Sequence, residues 1–581
     1  MEIKTERVKK IFYTVLIGSL LIFAESIVLT HYESLKLYLW KAGSSFYDFF
    51  TSLRGNVYWR RAERYTRGDS YPPLANLFYM LITRLMSVDT LTQLLDWKSL
   101  ADVQSLQECS LYFVIYMNVL LLFYYITCTA WKKGSKLEKN VFAVCMLFTV
   151  PFLYQFERAN LIFLVMTLTM LFLAWKDAKS PVLRELSYLS LAAAAGMKLY
   201  PAIFGFLLIR EKKYKEAARL VGYGVALFIV PFMFFDGIGK GLRLYFHNVA
   251  GASENFAISR IGCQLDYVTI LKNAFAGIGG NSIFLAHVCL VLFLLLGIWA
   301  ILGLNQSWKA ILLMSCMVIG VPAISYVYTA VFMILPIIAY LDSEEKKRKD
   351  LIYLAGMLLV VIPLPFGWME AAGDKYYTYM HVTIPVWVEG LSIVCMTVLL
   401  IIEGLSKFIR KKTVVSVIGI CLILAVSLGA NREKYNAPYA FTNYLTRTLS
   451  GSVQIRDGGE IRQSFTANRE QLDSITLRFA PPKDGKIVIS VEQAADGKEV
   501  GKAEFQSEKT KGGYYEIDFE NCNLEIGTRY VLHISVSAPE GEAVKFWKTI
   551  PYLDTGEEYF EVNNERKEGA LAVRFMEALV K

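Results

Sequence analysis

Apolar runs long enough to cross a bilayer recur through the first 430 residues of this 581-residue chain. They fall at 11–30, 109–131, 140–156, 159–175, 185–210, 215–235, 282–304, 308–323, 325–341, 350–368, 384–406 and 413–430, with 72–88 a weaker candidate. Roughly twenty apolar residues span the hydrocarbon as a helix, and only helices or closed barrels satisfy their own backbone there. Hydrophobic residues make up 55% of the sequence and the mean hydropathy is +0.38, too apolar for a soluble protein of this size. The expected fold class is a polytopic α-helical membrane protein with about 12–13 transmembrane helices. The first run lacks a small-residue cleavage site and reads as a signal anchor.

Basic loops set the expected orientation. Lys9-Lys10, the loop 132–139, the loop 210–216, the loop 345–349 and the stretch Lys407 to Lys412 read as cytoplasmic. Parity then places 31–71, 236–281, 369–383 and everything after 431 outside, in a cell membrane protein with a cytoplasmic N-terminus. Loops 132–139 and 176–184 both stay inside only if 72–88 is re-entrant and 185–210 is a hairpin with Lys198 to Pro201 at its tip. The net charge of +9 comes from these short loops, which fits a membrane surface and no nucleic-acid partner. Seven of the nine cysteines lie in or beside apolar runs as small hydrophobes, and no Cys/His metal spacing is present.

Two cations interrupt the apolar pattern. Arg158, in Phe156-Glu157-Arg158-Ala159-Asn160, sits between two apolar runs, and Lys198, in Met197-Lys198-Leu199-Tyr200-Pro201, sits inside another. A cation at membrane depth costs at least a few kcal/mol, so it faces a counter-charge, a cavity or an anionic substrate, unless it snorkels to the interface.

The loop 31–71 carries Tyr47-Asp48-Phe49-Phe50, then Trp59-Arg60-Arg61-Ala62-Glu63-Arg64-Tyr65-Thr66-Arg67, then Asp69-Ser70-Tyr71-Pro72-Pro73-Leu74. Arginine forks such as those of Arg61 and Arg64 match phosphate oxygens; an amphipathic helix on lipid headgroups is the other reading. Asp48 lies among aromatics, where a carboxylate can act as a general base; it can equally be a cap or an arginine's partner. Asp69 suits a turn or cap. Tyr-Pro-Pro gives an extended approach and then starts a helix.

From about 450 the pattern changes. Short alternating runs at Gln471 to Phe479, Lys486 to Glu492, Tyr514 to Phe519, Tyr530 to Val536 and Ala570 to Phe575 predict an all-β sandwich outside the membrane. The expected division is a membrane domain 1–430, a linker 431–449 and a β-domain 450–581.

An acid in the first outer loop, Tyr71-Pro72-Pro73-Leu74, Arg158-Ala159-Asn160 and Lys198-Leu199-Tyr200-Pro201, in this order, resemble the polytopic GT-C glycosyltransferases. The nearest likeness is to family 87, the polyprenyl-phosphate-mannose-dependent type, over roughly residues 10–430, with Ser325-x-x-Tyr328 as a later element. The resemblance implies sugar transfer from a polyprenyl-phosphate donor to an envelope glycan, lipid or protein on the outer face, with no cofactor and no metal. Carried over by position, Asp48 is the base, Arg158, Lys198, Arg61 and Arg64 meet the donor phosphate, and Tyr71, Asn160, Tyr200 and Tyr328 line the substrate. Glu157 to Asn160 departs from the common pattern, in which a glycine or glutamine precedes the asparagine. The tail is similar to jelly-roll-like modules. A non-enzymatic flippase of lipid-linked sugars, or a polysaccharide polymerase or ligase, would use the same buried cations. A transporter should show inverted repeats, and none is visible.

Overall fold

The computed structural model describes residues 4–32, 35, 45–58, 64–66, 69–95, 100–258, 264–276, 282–322, 325–364, 378–379, 382–409, 439–443, 449–467, 470–482, 484–506, 513–525, 528–549, 559–567 and 570–577. The chain divides into a helical unit and an all-β unit, parting near residues 426–427. Arg61 and the expected span 413–430 lie outside the described residues.

Among the described residues five helices are long and apolar enough to cross a membrane: Thr5–Leu29, Gln107–Trp131, Tyr214–Phe234, Ala286–Gly303 and Pro385–Leu405. A sixth forms if Lys136–Leu147 and Val150–Arg158, bent by 59° at Thr149, are one broken span. This count is lower than the 12–13 read from the apolar runs. The other runs fold as shorter apolar helices: Ile162–Trp175, Ser307–Gly320 and Leu351–Val361. The run 325–341 begins as a 3-10 turn, Val327–Met333, before Ile334–Asp342. Hydropathy sees only apolar length, whereas breaks in the helix depend on what packs beside them.

Salt bridges tie one set of chain ends together. Lys9 pairs with Glu138, Lys132 with Glu138 and Asp342, and Lys309 with Asp350 and Glu403. Lys176 pairs with Glu211 and Lys213 with Asp177, while Arg210 donates to the carbonyls of Leu304 and Asn305. Lys132 and Asp350 are fully buried, where an unpartnered charge would be strongly destabilising, so these pairs pin the helix ends at one face.

This charged face defines where the other segments go. Pro181–Met197 leaves it beside Asp177, breaks at the extended residue Lys198, and returns through Tyr200–Gly205 and Phe206–Arg210 to Glu211 at the same face. Lys198 is therefore at the tip of a hairpin, on the far side. The segment 72–88 stays on that far side as well. It starts beside Lys198 at Tyr71 and ends where Leu85 accepts from Tyr112 and the Ser87 N–H donates to Glu108. Glu108 opens a 25-residue helix, about 37 Å long at 1.5 Å per residue, whose other end carries Lys132 at the charged face.

Helix pairs approach closely where side chains are small. A methyl group on Gly303 would collide with the Gly404 carbonyl, and one on Gly404 with that of Ala300, so Ser282–Gly303 and Ile384–Leu405 touch backbone to backbone.

The all-β unit is a sandwich. Six strands order as Glu565–Arg566, Phe560–Val562, Glu460–Thr466, Arg529–Ser537, Lys486–Gln493 and Glu499–Gln506. The second sheet is built on Gln471–Ala480, which pairs with Gly513–Asn523, Ala543–Thr549 and Val573–Glu577. Phe465 and Phe575, from opposite sheets, have ring centres 4.3 Å apart, and Phe479 packs edge-on to Phe505 at 5.2 Å. The strand Tyr439–Asn443 pairs with Val573–Glu577 from inside the stretch read as linker.

Candidate functional site

Four separate segments meet on the face opposite the charged one. Asp48 stands in the first turn of the helix Tyr47–Tyr58. Arg158 is the last residue of Val150–Arg158, which ends because Ala159 takes the left-handed conformation at φ 49°, ψ 40°. That turn brings Asn160 round to the same side as Arg158, and both reach Asp48. Arg158 Nη2 donates to Asp48 Oδ1 at 2.6 Å, and Asn160 Nδ2 to Asp48 Oδ2 at 2.7 Å. Asn160 also lies 3.4 Å from the Tyr328 hydroxyl, and its own Oδ1 accepts from the Ile162 N–H at 3.0 Å. The Arg158 guanidinium lies 5.0 Å over the Tyr47 ring.

The surroundings of Asp48 differ from the apolar setting that its sequence neighbours suggest. Successive helical residues point about 100° apart. Phe49 stacks on Tyr116 at 5.1 Å and Phe50 packs on Phe113 at 5.4 Å, away from the carboxylate. Asp48 itself meets a cation and an amide. Its side chain and that of Arg158 are each 15% exposed, so the pair is largely buried but accessible from one side. Each carboxylate oxygen accepts one of these bonds and retains a second lone pair.

Lys198 approaches from the hairpin tip. Its ammonium lies 4.1 Å over the Tyr71 ring. Asp48 and Asp69 lie within electrostatic reach of it, yet no carboxylate among the described residues is within ion-pair distance. The Tyr71 phenol in turn lies within reach of Asp48, Arg158 and Asn160. Tyr200 opens the returning turn and packs edge-on against Phe332 at 6.4 Å. The structure thus gathers Asp48, Arg158, Asn160, Tyr71, Lys198 and Tyr328 into one neighbourhood.

Arg64 is not placed there. It is buried and ion-paired with Asp69, which also accepts from the Tyr71 N–H and from Asn76 Nδ2. This pair belongs to a second polar cluster. In it Asp236 accepts from the Tyr65 N–H and the Thr66 hydroxyl, and Asn248 donates to the carbonyls of Tyr65 and Asp69. The cluster fastens the 64–71 segment that delivers Tyr71. Arg64 and Asp69 are therefore a buried structural pair; sequence shows both charges but not their pairing.

Gln155 was not singled out by sequence. It is fully buried and donates through Nε2 to the Asn160 carbonyl at 2.6 Å, bracing the left-handed turn. An amide near the end of the apolar run 140–156, two residues before Glu157, was the available signal. Among the described residues no cluster of three or more His, Cys, Asp or Glu could hold a metal ion.

Residues 70–325 match Glycosyltransferase family 87, a stretch short of half of the chain. Tyr71, Arg158, Asn160, Lys198 and Tyr200 fall inside it; Asp48, Arg61, Arg64 and Tyr328 fall outside. No curated protein matches the chain. Among solved structures, the cryo-EM structure of arabinosyltransferase EmbB from Mycobacterium smegmatis is similar at 10% identity and a TM-score of 0.28. That likeness covers 98% of this chain and 64% of the EmbB chain.

Proposed function

We propose, from the premise that residues 70–325 carry the family 87 glycosyltransferase pattern, that this protein is a membrane glycosyltransferase of the GT-C type. Its donor is a polyprenyl-phosphate sugar, with mannose the first candidate, and its acceptor is an envelope glycan, lipid or protein outside the membrane. The observation that carries the reading is the gathering of Asp48 and Lys198 into one neighbourhood around Tyr71, with the lysine, at a hairpin tip, having no carboxylate within ion-pair distance among the described residues.

The acceptor hydroxyl oxygen attacks the anomeric carbon of the donor sugar. The bond from that carbon to the phosphate oxygen breaks, and its electron pair leaves with the polyprenyl phosphate. Asp48 takes the hydroxyl proton on a free lone pair, and Arg158 and Asn160 hold its carboxylate in place. Lys198 stabilises the charge gathering on the departing phosphate. Arg158 acts through Asp48 as a positioning residue.

Purified protein in proteoliposomes, offered radiolabelled polyprenyl-phosphate sugars and an envelope extract, tests this. Label should appear in the acceptor fraction and polyprenyl phosphate should be released. Label that crosses the bilayer while still attached to its lipid, with no acceptor product, would show a flippase instead.

A further inference from the structure

Two patches of the β-sandwich, one on each sheet, hold their cations differently. On the six-stranded sheet, charges cancel across strands. Arg462 pairs with Glu492, His533 lies between Glu492 and Glu460, and Lys486 pairs with Glu504. On the other sheet Arg478 and Lys545 have no carboxylate within ion-pair distance among the described residues; both are held on aromatic rings. The Arg478 guanidinium lies 5.1 Å from the Tyr514 ring and 5.2 Å from the Trp547 ring, and Lys545 lies 5.3 Å from Trp547.

Strand register puts these side chains on one surface. Arg478 is directly opposite Tyr514, and Lys545 and Trp547 are two residues apart on the strand flanking the other edge of Gln471–Ala480. Phe479 and Phe546, between them in sequence, point the other way and stack in the core at 5.5 Å. Tyr514 is 56% exposed, so its ring is open to a ligand. Its hydroxyl accepts from Arg478 Nη1 at 3.3 Å, so ring and guanidinium are fixed relative to each other.

We propose that this ledge of Tyr514, Arg478, Trp547 and Lys545 binds an anionic sugar unit, a saccharide carrying a carboxylate or a phosphate. The guanidinium fork and the ammonium take the charged group, and the exposed Tyr514 ring takes the apolar face of the sugar. A ring face recognises a flat partner, which an isolated phosphate does not supply. The surroundings restrict the ligand further. From residue 451 to the end there are 17 Lys and Arg against 23 Asp and Glu, a net of −6, and Glu516 stands on the same face two residues from Tyr514. Long polyanions such as nucleic acid are repelled by that background, whereas a short charged sugar at the ledge is not.

The test is isothermal titration of the detergent-solubilised full chain with tetragalacturonate, glucose 6-phosphate and neutral maltotetraose. The first, the second or both should bind, and maltotetraose should bind at least about tenfold more weakly, as expected for losing a charge-assisted contact. Arg478→Gln and Lys545→Gln should each weaken the anionic ligand by at least about threefold, and together by about tenfold or more. Tyr514→Ala, at an exposed position, should weaken it without loss of folded protein; Arg462→Gln on the opposite sheet should change nothing. Equal binding of maltotetraose, no binding of either anionic sugar, or unchanged binding in the Arg478, Lys545 and Tyr514 variants overturns the proposal.

Discussion

Replacing Asp48 with Asn probes the proposed chemistry most directly. The change keeps size and removes basicity, but its effect on the ground state is set by the two bonds described above. Asp48 Oδ1 accepts from Arg158 and Oδ2 from Asn160. An asparagine can keep its oxygen toward Arg158, which turns its amide nitrogen toward the Asn160 nitrogen, donor against donor. Asn160 cannot simply flip in response, because its own oxygen is held by the Ile162 N–H. The lost bond and the unpaired donors cost about 1–3 kcal/mol of local stability. A positioned base is worth about 10²–10⁴-fold in rate. At about 1.4 kcal/mol per decade that is roughly 3–5 kcal/mol of barrier, larger than the ground-state term. Asp48→Asn should therefore insert, bind donor and transfer sugar at least about a hundredfold more slowly. The assay is single-turnover transfer in proteoliposomes, normalised to folded protein by gel filtration. Transfer within about threefold of wild type would refute the base assignment, since that is far below the usual loss of a positioned base. A collapse in folded protein matching the loss in activity would show that Asp48 only holds Arg158.

Three further outcomes follow from the geometry. Lys198→Ala should raise the KM for the lipid donor by about tenfold or more while leaving the acceptor KM within about twofold, measured by varying each substrate in turn, because it removes the charge-assisted contact to the phosphate proposed above. Asp69→Asn, harmless if Asp69 were only a turn residue, should lower the temperature of thermal inactivation by several degrees. It leaves Arg64 buried beside a neutral partner, at a cost of about 1–3 kcal/mol. In the β-unit, burial and the nearby Asp473 push the Cys522 thiol up to about 12, so it stays protonated at pH 8. Maleimide should label it slowly in the native chain and fast in denaturant. Gly501→Ala, whose new methyl carbon would stand 2.5 Å from Cys522 Sγ, should speed native labelling by loosening that packing.

The sequence alone determined the two-part organisation, because its signals are local. Apolar length marks segments for the bilayer, and period-two alternation marked Gln471–Ala480, Lys486–Gln493 and Arg529–Ser537 almost to their ends, and the first part of Gly513–Asn523. The cost of a cation at membrane depth likewise singled out Arg158 and Lys198 without any knowledge of their surroundings. Other strands, such as Glu499–Gln506 and Ala543–Thr549, were missed; charged and polar residues on the exposed face thin out their alternation. What only the tertiary structure decided is pairing and interruption. Whether Arg158 is a phosphate ligand or a partner of Asp48 depends on bringing residues 110 apart in sequence to 2.6 Å. Whether Arg64 is available depends on Asp69 folding back on it, and whether 185–210 crosses or turns depends on Lys176 and Lys213 finding Glu211 and Asp177. Hydropathy and spacing describe the cost of placing one residue. A charge's partner is chosen by the whole fold, which settles which buried ions it neutralises and which it leaves for a ligand.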